Sequence, residues 1–479
     1  MKLSNSNEAG RKAGERRGES GSAGSILLLL MLAGIGFLVL REVIGGPPEA
    51  HLSQELKGIG RSTTVSVISS DGRGLRSLEV SLEQGGQAIP VFSQVYGDRW
   101  HLWSSEPAEI TQELQMGTTH QEVLRDGQAT LRIRARNWRL FGGETVLEQP
   151  IVVRSRPPSL EVLSGLLYVN QGGSELVLYR VSDSAVESGV RVGDYFFPGY
   201  PVPGGQPGEH VALFAYPPDA PSGVTAQVVA RDEIENEALA NFPHRLTAKR
   251  FRHRDIEISD SFIQSTVPAI LSNSPEVTDE GDPLKNFLLV NGKLREMNRA
   301  RIAEMARQTS PTPLWEGAFL QLTNSAVESQ FADYRSYIYQ GSKVDEQVHM
   351  GFDLASVQHA PVIAANSGRV VFAQYLGIFG NTIILDHGLG LQSLYAHLSS
   401  FGVKPGDMVA KGDVIAQTGS TGLAGGDHLH FATLLGGVEV NSVEWWDPLW
   451  IEQHILPKLP AAKLPAQKSS DETPVSSGA

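Results

Sequence analysis

Apolar and polar residues alternate with period two through much of this chain, a pattern that predicts half-buried β-strands. Residues 63–68, 78–82 and 131–135 carry it, separated by turn clusters such as Ser70-Asp-Gly-Arg-Gly74 and Gly142-Gly143. A second set follows Pro157-Pro158, at 160–163, 175–181, 210–214 and 224–230. Each set finishes with an Ala-Arg strand and a polar turn, and the two ends lie about one hundred residues apart, the size of an immunoglobulin-like β-sandwich. Two tandem sandwich modules are therefore expected, at 50–156 and 157–260.

The period changes in two places. Leu284, Phe287, Leu288, Val290, Leu294, Met297, Ile302 and Met305 recur near every third or fourth residue, which predicts helix over 282–307 within a helical linker at 261–312. Lys293, Arg295, Arg299 and Arg301 lie among them and read as a solvated basic face. Near the N-terminus no charge occurs between Glu19 and Arg41, and Ile26 to Leu40 is densely apolar. That length is about enough to cross a bilayer as a helix, so residues 20–44 are expected to be a transmembrane anchor rather than a cleaved leader. Arg11, Lys12, Arg16 and Arg17 precede it, which predicts a cytoplasmic tail at 1–19 and everything after the span outside.

Beyond Pro311-Thr-Pro313 the strand period returns, at 361–365, 368–373, 381–386, 392–397 and 413–418, with Gly, Asn and Asp between. This predicts an open antiparallel β domain with its site in a groove, over 313–455. The tail at 456–479 is rich in Pro, Ala, Lys and Ser and is expected to be disordered. The chain as a whole is mainly β. Cysteine is absent, which excludes disulfides and thiolate metal sites. The formal net charge of −13 argues against nucleic acid as a partner.

The candidate chemistry lies in the last β domain. His428 and His430 stand two apart on a predicted strand, so both imidazoles share one face. His349 and Asp353 stand four apart and share a face on strand or helix alike, and Tyr395-Ala-His397-Leu398 lies between the two pairs. Two imidazoles and a carboxylate with one open position make the ligand set of a catalytic zinc. The remaining two histidines would then be free to handle protons. His359 and His387 read as structural. The loop Gly419–Gly426 lacks the Gly-Lys-Ser/Thr ending of a phosphate cradle and leads into a strand. Trp445-Trp446 reads as a hydrophobic plug.

His-x-x-x-Asp, Tyr-Ala-His-Leu and Gly-Ser-Thr-Gly…His-Leu-His-Phe, in this order, resemble the LytM/lysostaphin-type zinc peptidases that cut the peptide part of bacterial peptidoglycan. The resemblance covers roughly residues 313–455. It implies an antiparallel β-sheet metallopeptidase domain with zinc on His349, Asp353 and His430, and His397 and His428 as catalytic histidines that do not bind the metal. The expected protein is a zinc endopeptidase acting on peptidoglycan peptide cross-links during wall remodelling. It would sit in the inner membrane by a single pass, with its catalytic domain in the periplasm and its β modules available to envelope partners. Two other readings remain open: a non-catalytic scaffold or activator of other wall hydrolases, and a zinc peptidase acting on secreted protein.

Overall fold

The computed structural model describes residues 21–43, 46–72, 74–96, 109–138, 143–221 and 223–459. The tail expected at 1–19, with Arg11, Lys12, Arg16 and Arg17, lies outside the described residues, as do Gly142 and residues 460–479. Gly21–Val43 is a helix of 23 residues. Its side chains are described at 26–37 and 39, and the large apolar ones there are exposed, Leu27 at 71%. Among the described residues, no helix is long and apolar enough to cross a membrane.

The chain divides into two compact units, Met1–Arg156 and Pro157–Ala479. In the first, a sheet of Glu49–Leu52, Thr63–Ser70 and Glu109–Met116 and a five-stranded sheet enclose one apolar core. The central strand of the larger sheet, Gly127–Asn137, shows why the sequence folds so. Ala129, Leu131, Ile133 and Ala135 all point into the core, while Arg132, Arg134 and Arg136 pair with glutamates on the opposite face.

The second unit begins with two four-stranded sheets. One is built on Ser174–Val181 and Glu209–Ala215, the other on Ala185–Val192 and Ala226–Asp232. The two β sets thus divide their strands differently, three and five against four and four. An eight-stranded sheet follows, antiparallel at every pairing. Its order is Ala326–Ser329, Phe352–Ala355, Leu429–Leu435, Leu391–Leu398, Asn381–Gly388, Gly368–Tyr375 and Met408–Val409, with Val438–Val440 beside Leu429–Leu435. A single apolar core runs from Leu167 and Tyr179 through Trp315, Tyr395 and Trp445 to Leu459.

The helices Asp260–Ser272, Pro283–Leu289 and Arg295–Met305 pack on the other face of this sheet. Ser259 and Asp282 cap the first two, each accepting a backbone N–H of the first turn. A π turn at Val290–Leu294 joins the last two. Residues 456–459, expected to begin a disordered tail, are ordered. Leu456–Lys458 is a 3-10 turn, and Lys458 Nζ lies 2.7 Å from the buried Glu175 carboxylate. Trp445 is fully buried against Trp315 and Phe319, as a plug.

Candidate metal centre

Strand register places the candidate ligands. Asp353 stands directly opposite His430 where Phe352–Ala355 pairs with Leu429–Leu435. His430 is opposite Ala396 on its other side, which brings in the adjoining His397. His349 ends the strand Ser342–His349, opposite Asp333. His428 sits just before the strand, in an isolated bridge to Gly419. All five residues line one cavity of about 310 Å³.

Three atoms converge there. His349 Nε2 lies 2.9 Å from Asp353 Oδ1 and 2.9 Å from His430 Nδ1, and His430 Nδ1 is 3.1 Å from the same carboxylate oxygen. The three residues are a buried set able to hold one metal ion. Tetrahedral bonds of about 2.0–2.1 Å would set such atoms about 3.3 Å apart, close to what is observed. His349 Nδ1 donates to the Gln330 carbonyl at 3.1 Å, which leaves Nε2 as a lone pair. Lone pairs and a carboxylate oxygen that crowd together need a cation between them, and two imidazoles with one carboxylate suit zinc.

The other two histidines are oriented differently. His397 Nδ1 donates to the Thr421 carbonyl at 2.8 Å, and His428 Nδ1 to the Gly426 carbonyl at 2.9 Å. Each ring thus keeps Nε2 for other partners. His428 Nε2 stands 3.5 Å from Asp353 Oδ1, and the rings of His397 and His428 are 4.8 Å apart. His397 has φ of 60°, a strained value for a residue with a Cβ, of the kind that collects at functional sites.

Electrostatics divide these groups. Burial, then the nearby charges of His428 and His430, hold the His397 imidazole well below the usual histidine range. Burial likewise pushes His430 down to about 4. Burial also opposes charge on His428, but the Asp353 hydrogen bond and charge outweigh it and the net shift is upward. At Asp353 burial alone would raise the carboxyl, yet the surrounding histidines hold it well below its ordinary value.

The sequence pattern did not reveal three further groups. Arg335 donates from Nη2 to Asp353 Oδ2 at 3.1 Å and so occupies the carboxylate oxygen that faces away from the His349–His430 pair. Arg335 is itself held beside the fully buried Asp333, which also pairs with Arg254 at 2.7 Å. The carbonyls of Gln330 and Thr421 fix two ring orientations. Backbone acceptors carry no residue signature, and Arg335 lies in a hairpin with weak alternation. His387, read as structural, is fully buried between the Ser367 carbonyl and the Ser393 hydroxyl. His359 is a surface residue beside Asp427.

Residues 347–442 match the model of Peptidase family M23. The chain carries an M23 peptidase domain. Over 97 residues it is 40% identical to the DD-carboxypeptidase/endopeptidase Mpg of Neisseria meningitidis serogroup B, covering 20% of this chain and 22% of that protein. Over 96 residues it is 33% identical to the peptidoglycan DD-endopeptidase ShyB of Vibrio cholerae serotype O1, again 20% and 22%. The chain thus spans about a fifth of the length of these curated relatives. Among solved structures, the catalytic domain of lysostaphin from Staphylococcus simulans is 29% identical, covering 27% of this chain and 98% of that one, with a TM-score of 0.24. A zinc-containing peptidase from Vibrio cholerae is 13% identical, covering 66% and 80%, with a TM-score of 0.24. The M23 match contains His349, Asp353, His397, His428 and His430, and zinc is the metal that both the family and this donor set call for.

Proposed function

We propose that this protein is a zinc-dependent endopeptidase that hydrolyses amide bonds in the peptide cross-links of peptidoglycan. The observation that carries the reading is the convergence of His349 Nε2, Asp353 Oδ1 and His430 Nδ1 within 3.1 Å, beside two histidines that are not among the three. His349, Asp353 and His430 would hold the ion, which supplies a Lewis acid that makes water nucleophilic near neutral pH and polarises a carbonyl. His397, kept neutral by burial, is suited to accept a proton at Nε2. His428 Nε2 is placed to donate to the oxyanion of a tetrahedral intermediate. Arg335 keeps the second oxygen of Asp353 occupied, so that a single oxygen is presented to the ion. Peptidoglycan as substrate class is supported by the names of the M23 relatives.

The uncharged, apolar sequence from Ser20 to Leu40 supports a further part of the proposal, a single-pass inner-membrane anchor with the M23 domain in the periplasm, although the described residues alone hold no helix long and apolar enough to cross. An unpacked run of Leu and Ile side chains is costly in water and favourable in lipid. The β modules would then set reach and contact envelope partners. The test is incubation of the zinc-loaded full chain with purified sacculi, followed by analysis of the released muropeptides. Cleaved cross-links are expected, and the chain is expected to stay in the membrane fraction after a high-salt wash. Intact cross-links with a fully zinc-loaded protein would overturn the enzymatic reading.

A further inference from the structure

The cavity that holds the metal set extends past it to a wall built by residues outside the M23 match. Phe262 and Phe287 come from the helical segment and Tyr337 from the strand Asp333–Tyr339. These rings make that end apolar and aromatic. Arg295, the first residue of the helix Arg295–Met305, shares the wall.

The partners of Arg295 are unusual for an enclosed cation. Nε donates to the Asn291 backbone carbonyl at 2.9 Å and Nη2 to the Asn291 side-chain oxygen at 2.5 Å, both of them neutral. Among the described residues it makes no ion pair, and the nearby Asp345 is already bonded to Asn291. A guanidinium carries five N–H donors in a planar fork that matches a carboxylate, and no carboxylate occupies it here. Burial, the dominant cause, pushes its pKa down to about 10, where it is still charged at neutral pH. No carboxylate on the cavity wall pairs with this cation, and Asp345 and Glu439, which are not on that wall, act on its charge without forming an ion pair with it. Arg335 and Asp353 are paired with each other, and Glu257 is exposed at the rim. An enclosed charge with spare donors, beside aromatic walls and a hydrolytic centre, is what recognition of an anionic group on a peptide requires.

We infer that Arg295 and the aromatic wall of Phe262, Phe287 and Tyr337 form a substrate subsite for a free carboxylate of the peptide, carried near the bond that is cut. The inference rests on the endopeptidase reading for its substrate. Its chemistry concerns binding and is testable apart from cleavage. The carboxylate would accept from the two or more guanidinium N–H groups that Asn291 leaves over, while the apolar wall covers the adjacent aliphatic part of the peptide.

The test uses two forms of one cross-linked peptide that differ only in whether that carboxylate is free or amidated. Both are measured with the zinc-loaded full chain and with Arg295→Gln. The parent is expected to favour the free carboxylate by about 10- to 100-fold in kcat/KM, the range of a charge-assisted hydrogen-bonded pair. Arg295→Gln should cut the two forms at rates within about threefold of each other, with unchanged zinc content and thermal unfolding. Arg295→Lys, which keeps the charge but loses the fork, should retain part of the preference. Equal rates for the two forms in the parent, or an undiminished preference in Arg295→Gln, would overturn the subsite. If neither form is cut, the endopeptidase reading fails on its own. Binding of the two peptides, followed by calorimetry with the same proteins, still decides the subsite, since the parent's preference and its loss in Arg295→Gln must appear there too. Should Arg295→Gln fold poorly, Phe262→Ala at the same wall provides the second variant. It should weaken both peptide forms while leaving the carboxylate preference in place.

Discussion

At His430 one imidazole supplies an atom of the converging set, so His430→Ala leaves two protein ligands where three stood. Zinc content, measured by elemental analysis, should collapse in that variant while the surrounding strand keeps its pairing. His428→Ala should behave oppositely, with near-full zinc and a fall in activity of about 10²–10⁴-fold, the range for loss of a proton-handling group. Full zinc in His430→Ala, or parental activity in His428→Ala, would reverse these assignments. His387 gives a prediction about pH. Burial holds its pKa down to about 4, against 6.5 for an ordinary histidine. A folded pKa below the unfolded one contributes stability that is fully present above 6.5 and is lost as pH falls toward 4. The gap corresponds to about 3 kcal/mol for a fully buried ring. The thermal midpoint of the parent should therefore drop between pH 6.5 and 4, and His387→Gln, which cannot take up the proton, should show a shallower drop. Identical slopes in the two proteins would mean that His387 is not the group responsible. The motifs brought His349, Asp353, His397, His428 and His430 into view because side-chain chemistry at fixed spacing is written in the sequence. The orienting carbonyls of Gln330 and Thr421 are not, since every residue has one.

Elements with clean alternation were readable, and those without it were not. Residues 381–386 and 392–397 were expected as strands and lie inside the observed Asn381–Gly388 and Leu391–Leu398. The hairpin Asp333–Tyr339 with Ser342–His349 was absent from the sequence reading because its exposed and half-exposed positions dominate both strands. It nevertheless carries Arg335 and His349. Arg295 was misread for a different reason. Its charge suggests a solvated face, yet it stands seven residues after Leu288 and seven before Ile302, on the apolar side of the pattern, and the structure sends it to the cavity wall. Lys293 and Arg301, by contrast, are exposed. At the loop beside the histidines, Gly422 has φ of 75°, and a Cβ there would collide with the backbone of Ile378, Phe379 and Gly380. Gly422→Ala should cost about 1–3 kcal/mol through backbone strain. Because it follows Thr421, whose carbonyl orients His397, activity should fall further than stability alone explains. A variant with lowered thermal stability but unchanged kcat would show that the loop does not position His397.

On the scale of the whole molecule, the sequence suggests a string of separate modules, whereas the β sheets at 167–242 and residues 315–459 share one core, with the helices at 260–305 in a second core on the other face of the M23 sheet. The contacts that join them are remote in sequence and leave no periodic trace. Trp445 Nε1 donates to Ser174 Oγ at 3.0 Å, and Glu444 accepts from the Ser174 backbone N–H at 2.7 Å. Glu175, buried one residue further on, takes Lys458 and His454 as partners at 2.7 Å each. Burial raises the Glu444 carboxyl above its usual range, so this seam is also a place where ionisation is costly. Trp445 fills the seam with an indole in edge contact with Trp315, Phe319 and Trp450. Removing a buried indole leaves a cavity that costs about 3–5 kcal/mol. If residues 157–459 are one cooperative unit, Trp445→Ala should lower a single unfolding transition, seen equally by probes in the β sheets at 174–215 and in the M23 sheet. Zinc should stay bound at low temperature, because the ligand strands Phe352–Ala355 and Leu429–Leu435 pair with each other whether or not the seam is filled. Two separate transitions, with the M23 sheet unfolding at the parental temperature, would show that the seam is a surface contact between independent domains.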